Sequence, residues 1–267
     1  MQNSQEERPI ELRDWALRIL SADILEEKLF SPLHLIDTNP GDPIIWKEPS
    51  RPPGMGFKQR TKKEKLPPFH EHHNPDKRAI CLHRFAGHEL LAVEIMAYAL
   101  VKFPLAHPLL RKGIARTLKE EQGHVRLYRQ QLKRFGLDLG DLPLYRHFWV
   151  HTPYLHTPLH YLSVMSLTFE MANLDFAPMY GQSFARQGDL KSAKLMEQIL
   201  KDEIAHVAFG WHWFKKLKSS LSSDWEAWKG HLSPLLTPKR ARGFILHETF
   251  RINAGIDPVW IEQLKNY

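Results

Sequence analysis

Two octets in this chain constrain its fold more than any other feature. Leu118-Lys119-Glu120-Glu121-Gln122-Gly123-His124-Val125 and Leu200-Lys201-Asp202-Glu203-Ile204-Ala205-His206-Val207 agree at the leucine, the lysine, an acid, the glutamate, the histidine and the valine. A Glu-x-x-His spacing alone arises by chance in a chain rich in both residues, whereas agreement along a whole octet does not. Glu and His three residues apart lie on one helix face about one turn apart, so both side chains reach the same point. The duplication is therefore one of function as well as of fold.

Helical periodicity places both octets inside long helices. Helix A is expected over 77–103 and ends before Pro104; helix B runs from Pro108 to Phe135 and stops at Gly136. Helix C is expected over 159–187, ending at Gly188, and helix D runs from the N-cap Asp189 to about Lys218. Short breaks join A to B and C to D, and a longer connection holding Pro143, Pro153 and Pro158 separates the two hairpins. The expected fold class is all-α: a ferritin-like four-helix bundle with a long crossover between helices B and C, plus N-terminal and C-terminal helical extensions.

Three segments follow from this. Residues 1–75 comprise a helical stretch marked by Leu12, Trp15, Ala16, Ile19 and Leu20, then a proline-rich irregular wrap from Ser31 to Pro75. Residues 76–218 form the bundle, and residues 219–267 carry Trp225, Trp228, Phe244, Phe250 and Trp260, enough apolar surface to pack on it as extra helices.

A bundle site built from two Glu-x-x-His pairs needs one more glutamate from each remaining helix at matching depth. Glu89 precedes Glu121 by 32 residues and Glu170 precedes Glu203 by 33, which sets each pair nearly level about its turn. Three of the four acids also interrupt an apolar stripe: Phe85, Glu89, Ala92, Met96 on helix A; Leu118, Glu121, Val125, Tyr128 on helix B; Met196, Ile199, Glu203, His206 on helix D. Four carboxylates facing one apolar core are tolerable only with compensating charge, and two divalent cations supply it. Cys81 is the only cysteine, so the ligands are oxygen and nitrogen; the donor set Glu89, Glu121, His124, Glu170, Glu203 and His206 fits iron, manganese or zinc, and the bundle arrangement points to iron first and manganese second.

Outside that set, Glu120 and Asp202 sit one residue before a ligand glutamate, where either can accept a hydrogen bond from a histidine nitrogen turned away from the metals. Glu94 and Asp175 follow Glu89 and Glu170 by five residues, which turns them off the ligand face into an outer shell or a polar core network. His70, His72 and His73 read as an exposed loop cluster, and His83 and His88 as ordinary core or surface histidines. Tyr98 and Tyr128 read as packed aromatics with the metals in reach as the alternative, and Pro178 as the site of a kink in helix C.

The net charge of +7 is concentrated in KQRTKKEK (58–65) and PKRAR (238–242). These runs lack interleaved aromatics, so a solvated basic surface is favoured over nucleic-acid binding. No apolar run is long enough to span a bilayer, and the charged N-terminus lacks the apolar core of a signal peptide; a cytoplasmic protein is expected.

The phrases HELLAVEIMAYAL, EEQGHVRLY, TFEMANLDFAPMY and DEIAHVAFG resemble a bacterial family of uncharacterised ferritin-like proteins, a domain of unknown function, from about residue 77 to the C-terminus. More distantly the pattern is similar to the ferritin-like superfamily of rubrerythrin, ribonucleotide reductase small subunits, multicomponent monooxygenases and a tRNA hydroxylase. The resemblance implies a carboxylate-bridged dinuclear centre acting on dioxygen or peroxide, with Glu121 and Glu203 at the bridging positions. It implies a dinuclear iron oxidoreductase, an oxygenase or hydroxylase whose substrate the sequence does not name. The cysteine-rich module of rubrerythrin is missing, so a separate electron donor is expected. Two other readings are an iron-storing ferritin-like protein, which would assemble into a large cage rather than a monomer or dimer, and a tRNA-modifying hydroxylase.

Overall fold

The computed structural model describes residues 8–59 and 65–267. Most of the basic run 58–65 and the first seven residues lie outside these. The described chain is all-helical apart from a short parallel pairing of β1 (Ile10–Glu11) with β2 (Leu35–Ile36) and an isolated bridge between Phe57 and Leu144.

The long helices start where backbone donors find caps. α3 (Pro75–Lys102) opens on Asn74, whose side chain accepts from the Asp76 amide, with Pro75 in the first turn; α4 (Pro108–Lys133) repeats the device with His107 and Pro108. Gly136, at φ +71°, lets the chain leave α4 in a conformation that costs an L side chain energy. α7 (Leu190–Leu217) begins at Asp189, which accepts from the Ser192 amide. α3 lies along α4, a second helical rod lies along α7, and α4 meets α7, so the two octet-bearing helices face each other.

That second rod departs from a regular helix. It consists of α5 (Pro158–Val164), a π-helical segment (Met165–Glu170) and α6 (Met171–Arg186) in unbroken succession. Pro178 stays inside α6, and the main irregularity lies upstream of it, in the wider turn that ends on Glu170. The Thr168 hydroxyl donates to the Ser163 carbonyl at 2.7 Å, five residues back, along this turn. Gly210 on α7 makes room for the bulge: a β-carbon there would overlap the β-carbon of Ser166. Gly210→Ala is thus expected to cost about 1–3 kcal/mol through overpacking, read as a lowered urea midpoint; an unchanged midpoint would show that the two helices can simply part.

The flanking segments bury large side chains against this frame. α1 (Leu12–Ser21) packs on α3, burying Leu12, Trp15, Ala16, Ile19 and Leu20, and Trp15 Nε1 donates to the Phe30 carbonyl at 2.8 Å. α2 (Leu25–Leu29) follows it. At the other end, Trp225 of α8 (Asp224–Gly230) and Trp260 of α10 (Pro258–Asn266) join Trp228 in an apolar cluster with Leu167, Met171 and Val207; α9 (Glu248–Asn253) lies between them in sequence. Of the three loop histidines, His70 and His73 are exposed, but His72 is fully buried, its Nδ1 2.7 Å from the Ser183 hydroxyl. The expectation of an exposed cluster fails there because its partner lies far along the chain. Among the described residues no helix is long and apolar enough to cross a membrane.

Candidate metal centre

Four elements deliver the six singled-out side chains to one place. Glu89 comes from α3, Glu121 and His124 from α4, Glu170 from the last position of the π segment, and Glu203 and His206 from α7; none is more than 5% exposed. Donor atoms of Glu89, Glu121 and His124 lie within 4.8 Å of one another, as do those of Glu121, Glu170 and His206. Glu121 belongs to both groups.

The histidines are held from outside. His124 Nε2 lies 3.1 Å from Asp202 Oδ2, and His206 Nε2 lies 2.9 Å from Glu120 Oε2, so the acid of each octet serves the histidine of the other. The two Nδ1 atoms consequently face inward, 3.2 Å and 3.1 Å from the two oxygens of Glu121. This reciprocal lock fixes which nitrogen of each ring is available. Asn173, which sequence reasoning did not single out, donates from Nδ2 to Glu203 Oε1 at 2.7 Å. Its only signal in the sequence is its position three residues after Glu170, on the same helix face.

The remaining hydrogen-bonding capacity is unmet. Both oxygens of Glu170, Oε2 of Glu203 and Nδ1 of His206 are buried with no hydrogen-bond partner; the Glu121 oxygen near His206 Nδ1 is out of line. Burial raises the Glu170 carboxyl to about 8. Glu89 is likewise driven well above the carboxylate range by burial and then by the negative charge of Glu121. Burial works against charge on Glu121 too, yet the charge and hydrogen bond of His124 and the nearby charge of His206 hold it well below its ordinary value. Without a cation, then, the cluster cannot hold four ionised carboxylates.

The other residues fall elsewhere. Glu94 is paired with Lys28 at 3.0 Å and Arg51 at 2.5 Å, and Asp175 with Arg251 at 2.7 and 2.8 Å, so both sit in buried ion-pair networks that fasten the N-terminal and C-terminal segments. His83 accepts from the backbone amides of Gly140 and Leu142, a satisfied core histidine. Tyr98 packs on Trp149 with ring centroids 5.6 Å apart, whereas the Tyr128 hydroxyl lies 3.5 Å from Met196 Sδ and its ring lines a small cavity beside Glu89.

Fold and site together define an all-α protein with a buried cluster of carboxylates and imidazoles able to hold metal. The chain belongs to the family described as "Protein of unknown function (DUF455)", whose model matches residues 14–262. An uncharacterized protein of Haemophilus influenzae is 27% identical over 154 residues, which cover 55% of this chain and 54% of that protein. The chain thus aligns with about half the length of that relative. No solved structure matches the chain.

Proposed function

We propose that this chain is a ferritin-like dinuclear metal protein, an iron-dependent oxidoreductase that uses dioxygen or peroxide to oxidise an enclosed substrate. The observation that carries the reading is the set of buried, partnerless donor atoms on Glu170, Glu203 and His206 beside Glu121. Such atoms cost several kcal/mol each when left bare, and divalent cations satisfy them all. One glutamate from each of two helical rods and a Glu-x-x-His pair from each of two others is also the ligand pattern of ferritin-like bundles. The donor set holds no sulfur, which favours iron or manganese.

In this reading Glu89, Glu121, His124, Glu170, Glu203 and His206 would hold two metal ions, with Glu121 the side chain common to both donor groups. Bound iron supplies one-electron redox chemistry toward dioxygen or peroxide. The chain's own residues do the rest. Asp202 and Glu120 keep the Nε2 protons in place, so each ring presents Nδ1. The Asn173 amide holds one oxygen of Glu203 and leaves the other free to ligate or to shift as charge changes. The single cysteine is buried and its thiol is pushed up to about 12 by burial, so electrons are expected from a separate donor.

The test is metal content and oxygen uptake. Protein purified aerobically should carry about two equivalents of iron per chain, and protein reloaded with iron(II) without air should oxidise it and consume dioxygen when air is admitted. Background metal content, or iron(II) that stays reduced in air, would overturn the reading.

Metal binding should also strengthen with pH. Glu170, at about 8 against an ordinary 4.5, and His124, at about 9 against 6.5, both bind more protons in the folded metal-free protein than in the unfolded chain. Stability from these groups is therefore lost as pH rises through those values, and a cation must displace their protons to bind. The rise in melting temperature on adding metal should be larger at pH 8 than at pH 6, with protons released on loading in weak buffer. A thermal shift that does not change with pH would contradict this.

A further inference from the structure

A cavity of about 870 Å³ lies next to the cluster, within the ~300–1,000 Å³ that encloses small organic ligands. Its walls are rich in aromatic rings, among them Phe85, Phe148 and Tyr180, and in arginines, and among the described residues no acid lines it. A second space of about 20 Å³, the neck, shares Phe85, His88, Asn173, Phe176 and Tyr180 with its lining and is also lined by Glu89. The cavity and the proposed ligand Glu89 therefore border the same small space. The π segment joins the two spaces on a single turn: Phe169 stands in the cavity wall, 4.4 Å ring to ring from Phe148, and the next residue is Glu170.

Arg240 gives the cavity its chemical preference. Its guanidinium lies 5.1 Å over the Phe169 ring and Nη2 lies 2.9 Å from His147 Nε2, but no carboxylate pairs with it among the described residues. The buried arginines Arg51, Arg111 and Arg251 all have acid partners. Arg240 is half-buried, and burial lowers it to about 10 with no acid beside it to offset the loss of water.

We propose that this cavity is the substrate site and takes a small molecule with a planar aromatic body and a carboxylate or phosphate, the anion held by Arg240 and the opposite end directed to the neck at Asn173 and Glu89. Its role as a substrate site rests on the oxidoreductase reading; the binding itself does not. Aromatic walls stack a planar body, and an arginine fork matches a carboxylate or phosphate in two-point contact.

Calorimetric titration of the protein, as purified and after chelation, with 2-naphthoate, 1-naphthyl phosphate, 2-naphthylmethanol and inorganic phosphate tests this. The two aromatic anions should bind at least about tenfold more tightly than the alcohol or inorganic phosphate, and their order tells carboxylate from phosphate. Arg240→Gln should weaken the anions by about tenfold or more while leaving the alcohol and the metal content unchanged, and Arg240→Lys should restore part of the loss. Equal binding of anions and alcohol, inorganic phosphate binding as well as naphthyl phosphate, or no effect of Arg240→Gln would overturn the proposal. Should Arg240→Gln fail to fold, the four-ligand comparison on the unmodified protein decides. Anion-selective binding by a protein that retains no metal would sink the oxidoreductase reading and leave the site standing; metal retained without anion preference would sink this inference alone.

Discussion

Glu121→Ala is expected to bring bound iron from about two equivalents per chain to near none, a larger loss than removal of any other single candidate ligand. Glu121 is the one side chain common to both donor groups, and its two oxygens face the inward nitrogens of His124 and His206 at 3.2 and 3.1 Å. Removing it takes a donor from both groups of the proposed centre at once and leaves two imidazoles without the acid that balances them. Glu203→Ala should act in the same direction but leave more metal, because Glu203 appears in neither group. Glu197→Ala, an exposed acid on the same helix as Glu203, serves as the control and should leave iron unchanged. Elemental analysis of the three variants decides the matter, and wild-type iron in Glu121→Ala would rule out the proposed centre.

The second large effect is on stability. Glu94→Ala leaves Lys28 and Arg51 facing each other in the core, with side chains 0% and 3% exposed, and the acid that balanced both is gone. Breaking a buried pair from one side costs about 3–5 kcal/mol, because the remaining charges lose their acid and keep only the backbone carbonyls of Ile19 and Met55. Lys28 already has its pKa lowered by burial, so some of the loss is relieved by release of its proton. Asp175→Ala should cost a comparable amount, since Arg251 is fully buried and keeps only backbone acceptors. Urea unfolding with and without each substitution measures this; a loss under about 1 kcal/mol would mean that the cations escape to solvent or find other acceptors.

Much of this arrangement is legible in the residues alone. Helix starts and stops follow from Asn74, Pro75, Pro108, Gly136 and Asp189, whose effects are local. The meeting of the two octets follows from spacing, because rise per residue fixes depth on a rod. What spacing does not fix is the partner across a gap. Glu120 and Asp202 stand four residues before the histidine of their own helix, yet each bonds the histidine of the other, a choice set by how α4 and α7 are rotated. Likewise Lys28, Arg51 and Arg251 reach Glu94 and Asp175 from segments whose course over the long helices no periodicity encodes. The π segment is invisible for a different reason. All six of its residues are buried, so the apolar pattern reads as helix in either phase.

The widened turn at Met165–Glu170 means that Phe169 and Glu170 owe their aim to one local detail of the main chain. An ordinary α-turn advances about 100° per residue, so shortening this stretch by a single amino acid would swing one flank of the rod against the other. The tethered partners on either flank would then be asked to follow, and they cannot all do so. Apart from Glu170, length here is under tighter constraint than identity: the apolar side chains of this stretch can be exchanged for others of similar bulk, whereas a one-residue deletion would misdirect the acid and the aromatic wall together.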